Sequence, residues 1–168
     1  MVNVNVFRGS DGILNLAAAQ PETEEGRLAS ERIDAYQLTT VGRVSNVEVK
    51  VESDLKAFYE IGKRYPSDLR SGKIDVSGTV HRAYINGALL KLLLGAGAET
   101  PTPPGTFPQP SFNIVIPLEN PAFPGKKSII TLYSVKFQNW NYSVPEDDFV
   151  LEEVSFKALS LSIEDVEE

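Results

Sequence analysis

At 168 residues, 42% hydrophobic and 23% charged, the chain has the balance of a folded globular protein, which excludes wholesale disorder and a fibrous repeat. Its net charge of −7 is the opposite of the basic footprint carried by proteins that neutralise phosphates, so tight DNA binding is not expected. With no cysteine, disulfides, thiolate nucleophiles and cysteine-based metal sites fall away together.

No composition break divides the sequence, which predicts a single domain over 1–168. "MVNVNVFRGSDG" lacks the basic start and apolar core of a signal peptide, and no stretch approaches the ~18 apolar residues of a membrane span. The expectation is a soluble chain folded in the cytoplasm. An acidic surface has one use beside DNA: it repels phosphates and lets a polyanion slide past. The plainer reading is that the charge keeps the protein in solution.

In chain order, "GILNLAA" is a short strand candidate, followed by "AQPETEEGRLASERIDA", read as a charged loop near 20–35. In "RVSNVEVKVES", Val47, Val49 and Val51 share one face and Glu48, Lys50 and Glu52 the other, the period-2 pattern of a half-buried strand. "DLKAFYEIG" is ambiguous, but Phe58, Tyr59 and Ile61 favour a pleated surface.

The pattern returns in "SGKIDVSGTVHRAY", with Ile74, Val76, Val80, Arg82 and Tyr84 on one side and Lys73, Asp75, Ser77, Thr79 and His81 on the other. Gly78 on the apolar side predicts a bulge, a bend or the close approach of another backbone. "NGALLKLLLG" predicts a short helix from about Gly87 to Leu94, ended by Gly95 as a left-handed cap. Leucines surround most of it, so it must be buried against a sheet or another subunit.

"GAGAETPTPPGTFPQPS", near 95–111, is rich in proline and glycine and predicts a second long extended loop. "SIITLYSVKFQNW" alternates with Ile129, Thr131, Tyr133, Val135 and Phe137 on one face. "FVLEEVSFKALSL" reads as the final strand, with Val154, Phe156 and Ala158 together and a register change near Glu152 and Glu153.

Nothing announces catalysis. His81 is the only histidine and lies on the polar face of a strand, without a serine in a sharp strand-to-helix turn. A lone imidazole without converging carboxylates is also a poor metal site. "GKKS" from Gly125 to Ser128 fails as a phosphate loop, because Asn120 stands where a glycine is required and a strand pattern follows. It reads as a basic turn. Glu146, Asp147 and Asp148 lack the spacing of cation ligands and read as a solvated turn. "NYS" at Asn141 is a glycosylation sequon that requires a secretory route. Trp140 and Tyr142 offer a sugar platform or ordinary packing.

Taken in order, "RGSDGILNLA", "VGRVSNVEVKVES", "YEIGKRYPSDLRSGKIDVSGTVHRAYINGALLKLLLG" and "VPEDDFVLEEVSFKAL" resemble tail tube proteins of tailed bacteriophages, especially those with contractile tails. The likeness spans most of the chain outside the two long loops. It implies a mainly β fold with one short helix, an antiparallel β-sandwich or barrel-like subunit. Such subunits assemble into hexameric rings whose inner strands join in a continuous barrel, and the rings stack into a tube through which DNA passes. The implied role is structural, with no catalysis and no cofactor. The implied partners are copies of the chain, the tail sheath, baseplate and terminator proteins, and the tape measure protein and DNA transiently in the lumen. The implied location is the virion tail, assembled in the host cytoplasm, without membrane insertion.

Under this resemblance the polar strand positions Glu48, Lys50, Glu52, Asp75 and Thr79 are the lumen candidates. Leu92, Leu93, Pro103, Pro104 and Phe107, with both long loops, are the candidates for subunit contacts. The alternatives are a tube subunit of a contractile bacteriocin or injection system, and a monomeric ligand-binding β-sandwich using Trp140 and Tyr142. A hydrolase using His81 stands behind both.

Overall fold

Alternating side chains give several strands one apolar face, and Leu16, Val76, Val80, Phe112, Ile114, Val154 and Phe156 from those faces are buried together in the computed structural model, which describes residues 6–20, 22–99, 101 and 108–167. The strands are β1 (Asn15–Ala18), β2 (Val44–Phe58), β3 (Asp68–Ala83), β4 (Phe112–Glu119), β5 (Lys126–Ser143), β6 (Leu151–Ala158) and β7 (Ser160–Glu167). Two helices, α1 (Glu24–Ala35) and α2 (Ala88–Leu94), complete the fold. Every strand pairing is antiparallel, in the order β1-β4-β5-β6-β3-β2, and β7 also pairs with β5. The sheet curls into a half-barrel, a β-rich tail-tube architecture as the sequence implies.

β5 belongs to both halves of this sheet. Its first part pairs with β4 on one side and β7 on the other, while its second part, among the described residues, pairs with β6 alone. Alternation does not run unbroken through it: Leu132 and then Val135 and Phe137 face the core, whereas Tyr133 is exposed. The face changes at Ser134, which has a positive φ of 53°, and its freed N–H donates to Asn113 Oδ1 at 3.0 Å. The single face expected for Ile129 through Phe137 is therefore corrected at that residue.

The core joins Phe112, Ile114 and Leu132 to Val76, Val80, Val154 and Phe156, with Leu89 and Leu92 of α2 packed among them. Gly78 lies in an unbroken register, so no bulge explains it. An added Cβ there would stand 2.2 Å from the Glu48 carbonyl oxygen and 2.5 Å from Phe156 Cζ. Close approach by the β2 backbone at Glu48 is what first requires glycine, and the Phe156 ring fills the rest of the space.

Two helices are present rather than one. The segment read as a charged loop near 20–35 forms α1, capped by Thr23 Oγ1 accepting from Gly26 N at 3.1 Å. Its buried stripe is Gly26, Ala29 and Ile33, narrow and built from small side chains. α2 forms as expected, but Gly95 has φ 58° and ψ −125°, which is not a left-handed cap, and the chain continues as a 3-10 turn through Ala98.

The register change expected near Glu152 does not occur; β6 alternates evenly and turns Glu152 into the core. There it accepts from Arg82 Nε and, at 2.9 Å, from Trp140 Nε1. Arg82 also donates to the backbone and side-chain oxygens of Asn86, each at 3.3 Å, and Asn86 Oδ1 accepts from Ala88 N at 3.1 Å. A buried ion pair thus ties the sheet to the start of α2.

Candidate assembly surface

Four strands, β2, β3, β6 and the second part of β5, present a face opposite the core. Register sets its side chains in cross-strand rows. Asn46, His81, Glu153 and Asn141 form one row; Glu48, Thr79, Ser155 and Asn139 the next; Lys50, Ser77, Lys157 and Lys136 a third; Glu52 and Asp75 continue beyond β6. The predicted positions Glu48, Lys50, Glu52, Asp75 and Thr79 therefore share this polar face. His81 is one member of it, with Nε2 3.4 Å from Glu153 Oε1.

Charge on this face is mixed, since Glu48, Glu52, Asp75 and Glu153 are interleaved with Lys50, Lys136 and Lys157. The acidic excess of the whole chain is not gathered here, so uniform repulsion of phosphates is not what the face offers. Lys50 Nζ lies 2.7 Å from Glu52 Oε1. Through that hydrogen bond first and its charge second, Glu52 holds the Lys50 ammonium above its ordinary pKa, and Lys50 holds Glu52 below the usual carboxylate value. Lys157 reaches Asp75 at 3.9 Å and Lys136 reaches Glu25 at 3.0 Å.

Among the described residues both edges of this four-stranded part lack a strand partner: β2 pairs only with β3, and β5 from Lys136 to Ser143 pairs only with β6, although Gln109 Nε2 donates to the Phe137 carbonyl at the start of that stretch. Such edges are templates for pairing with another chain. Because strand direction alternates across the four, a β2 edge laid against a β5 edge would continue the antiparallel pattern.

Beyond Val76 the sheet narrows to β2 and β3 alone, a ribbon extending about 25 Å at the usual rise per residue. Val51, Leu55, Phe58, Tyr59, Ile61, Tyr65, Leu69 and Ile74 are exposed along it. A two-stranded ribbon is marginal in water without a packing partner. At the opposite end of the same strands lies a second apolar surface, with Tyr84, Ile85, Tyr142, Val144, Phe149 and Leu151 exposed. Its rings are in tilted contact, Tyr84 with Tyr142 at 5.5 Å and Tyr142 with Trp140 at 4.7 Å between centroids. With its N–H donated to Glu152, Trp140 is a packing residue more than a sugar platform.

The remaining predicted positions separate. Leu92 is fully buried in the chain's own core, which removes it as a subunit contact. Leu93 is partly buried and lines an open groove with Leu94, Gln109, Lys136, Gln138 and Lys157, beside the open edge of β5. Pro103, Pro104 and Phe107 lie outside the described residues. Lys126 and Lys127 enter β5 after a turn at Gly125, and Glu146 to Asp148 form an exposed bend. Among the described residues no group of three or more acidic or histidine side chains is placed to hold a metal ion, and no helix is long and apolar enough to cross a membrane.

Solved structures share this arrangement. A chain of the sheath-tube complex of an extracellular contractile injection system, PVC, in the extended state, matches with a TM-score of 0.64 at 10% identity, over 97% of this chain and 94% of the other. The SPP1 tail tube matches with a TM-score of 0.59 at 9% identity, over 97% and 81%. The chain has the tail-tube fold. A further tail-tube-like match is the tail of a gene transfer agent particle, solved with C6 symmetry, at a TM-score of 0.55 and 9% identity over 95% and 99%. No family model and no curated protein matches the sequence.

The exposed ribbon and the aromatic end are surfaces that the sequence pattern does not announce. The sequence pattern reads Phe58, Tyr59 and Ile61 as strand, whereas β2 ends at Phe58 and Tyr59 and Ile61 lie in the exposed connection to β3. That β2 and β3 outrun β6 is a property of strand pairing.

Proposed function

We propose that this protein is a structural subunit of a bacteriophage tail tube or of the tube of a related injection device. The observation that carries the reading is a four-stranded sheet with one face in the core, one polar face and two dissimilar open edges. Joining β2 of one copy to β5 of the next is a heterologous contact, which closes into a ring when the rotation permits. Closure satisfies both edges and turns the polar face, with Glu48, Lys50, Glu52, Asp75 and Thr79, toward a water-filled lumen wide enough for DNA. The six-fold symmetry of the gene transfer agent tail supports six copies per ring.

The ribbon and the aromatic end supply a different, axial contact. They lie at opposite ends of the same strands, so a ribbon docked on the aromatic end of the next copy repeats without closing and stacks rings into a tube. Sheath, baseplate, terminator and tape measure proteins are the corresponding partners, with DNA transient in the lumen. The role needs no catalytic residue and no cofactor. The tube belongs to the virion tail and is assembled in the host cytoplasm.

Electron microscopy of the concentrated purified protein tests this. Rings and tubes are expected, and Ile61→Asp with Tyr65→Asp should leave rings while abolishing tubes. A strictly monomeric protein at high concentration, folded by circular dichroism, would overturn the reading.

A further inference from the structure

The register of the ring seam leaves a specific electrostatic mark. Lys136 stands at the start of β5's open edge, with Lys157 directly opposite it on β6 and Lys50 in the same cross-strand row on β2. If the β2 edge of a neighbour joined β5 with this row continued straight across, the neighbour's Lys50 would be placed beside Lys136, and like charges directly opposite destabilise a sheet. A closed barrel also forbids the straight register. Its strands tilt, so symmetry-related residues are displaced along the strand from one copy to the next. The displacement must be an even number of residues, because an odd one would turn the neighbour's valines toward the lumen.

Of the β2 positions on the polar face, Glu48 and Glu52 flank Lys50 on either side, with Asn46 and Asp54 beyond. A displacement of two residues sets Glu48 or Glu52 opposite Lys136. A displacement of four sets Asn46 or Asp54 opposite and keeps one of the two glutamates on the diagonal, within reach of a lysine side chain. Within its own chain Glu52 already holds Lys50 at 2.7 Å, whereas Glu48 has no ion-pair partner among the described residues. Lys136 is half exposed, and its contact with Glu25 at 3.0 Å joins two half-exposed side chains whose attraction water screens in part.

We propose that Lys136 of one copy pairs with Glu48 of the next copy's β2 and that this ion pair fixes the register of the ring seam. The proposal rests on the tube reading above, and it names the partner contact that reading leaves open.

Charge exchange between separately purified variants tests it. Lys136→Glu alone sets carboxylate against carboxylate at every seam, and Glu48→Lys alone sets ammonium against ammonium. Each should lower the assembled fraction in a sedimentation assay by roughly tenfold or more, with the monomer's thermal unfolding unchanged. An equimolar mixture of the two should restore assembly, because copies that alternate around an even-numbered ring have complementary charges at every seam. Glu25→Gln should leave assembly intact.

Restoration in the mixture cannot come from contacts within one chain, so it establishes the seam pair. Restoration by Glu52→Lys but not by Glu48→Lys would overturn the register proposed here, as would undiminished assembly of Lys136→Glu. Failure of the unaltered protein to form rings would instead count against the tube reading itself.

Discussion

Replacing Glu152 with glutamine isolates the worth of the buried ion pair. Glutamine keeps the shape, and its Oε1 can still accept from Trp140 Nε1, but the Arg82 guanidinium loses its counter-charge. Arg82 and Glu152 are 2% and 1% exposed, so water cannot replace the lost partner. Removing one member of a buried pair costs about 3–5 kcal/mol, because the other charge stays buried and uncompensated. For a chain of this size each kcal/mol moves the melting temperature by roughly 2–4 °C, which gives a fall of roughly 6–20 °C for Glu152→Gln. The double variant Arg82→Met with Glu152→Leu removes both charges and should recover most of that loss. Urea unfolding of unassembled protein, followed by tryptophan fluorescence, reads both values, since Trp140 is the only tryptophan. A loss below about 1 kcal/mol for Glu152→Gln, or a double variant as unstable as the single one, would refute the reasoning.

Gly78→Ala drives a methyl group toward the Glu48 carbonyl and the Phe156 ring, and should cost about 1–3 kcal/mol, read as a lowered urea midpoint with unchanged slope. An unaltered midpoint would show that both the β2 backbone at Glu48 and the Phe156 ring give way freely. The exposed Lys50–Glu52 pair makes a prediction about pH. Glu52 is depressed, so its contribution is present above its unfolded pKa and lost as pH falls through the lower folded value. Lys50 is raised, so its contribution is present below the unfolded lysine pKa and lost as pH rises through the higher folded value. NMR titration should find Glu52 below the ordinary glutamate range, and Lys50→Met should return it there; an unmoved Glu52 titration in that variant would exclude the pair.

The sheet was largely legible because burial on one side writes a period of two into the sequence, as in Val47, Val49, Val76, Val80, Val154 and Phe156. Where local chemistry overrides that period, sequence reading failed for a physical reason. The face change in β5 depends on one positive φ at Ser134 and on a distant Asn113 side chain, and neither leaves a local signature. Glu152 looked like the wrong residue for a core face because its partner, Arg82, is contributed by β3. α1 buries mostly small side chains, so its charged residues dominated the reading. Thr23 before Glu24 and Glu25, with Arg32 in the last turn, was the capping and charge signal that marks it. β4 carries Pro117, whose missing N–H is tolerated because the β1 ladder ends at Val115; beyond it the Pro117 carbonyl still accepts from Ile13 N at 3.4 Å. The polar face was readable residue by residue, but the ribbon required knowing where β6 stops.

β5 has a mechanical consequence. It is one continuous backbone running through both halves of the curled sheet, flanked by β4 on one side and by β6 and then β7 on the other. A pull along its second part reaches the first through covalent bonds, and from there it loads the β4 and β7 ladders in shear, many hydrogen bonds sharing the strain at once. Sliding of one half over the other is resisted at this spine and freest at the outlying edges, β1 and β2.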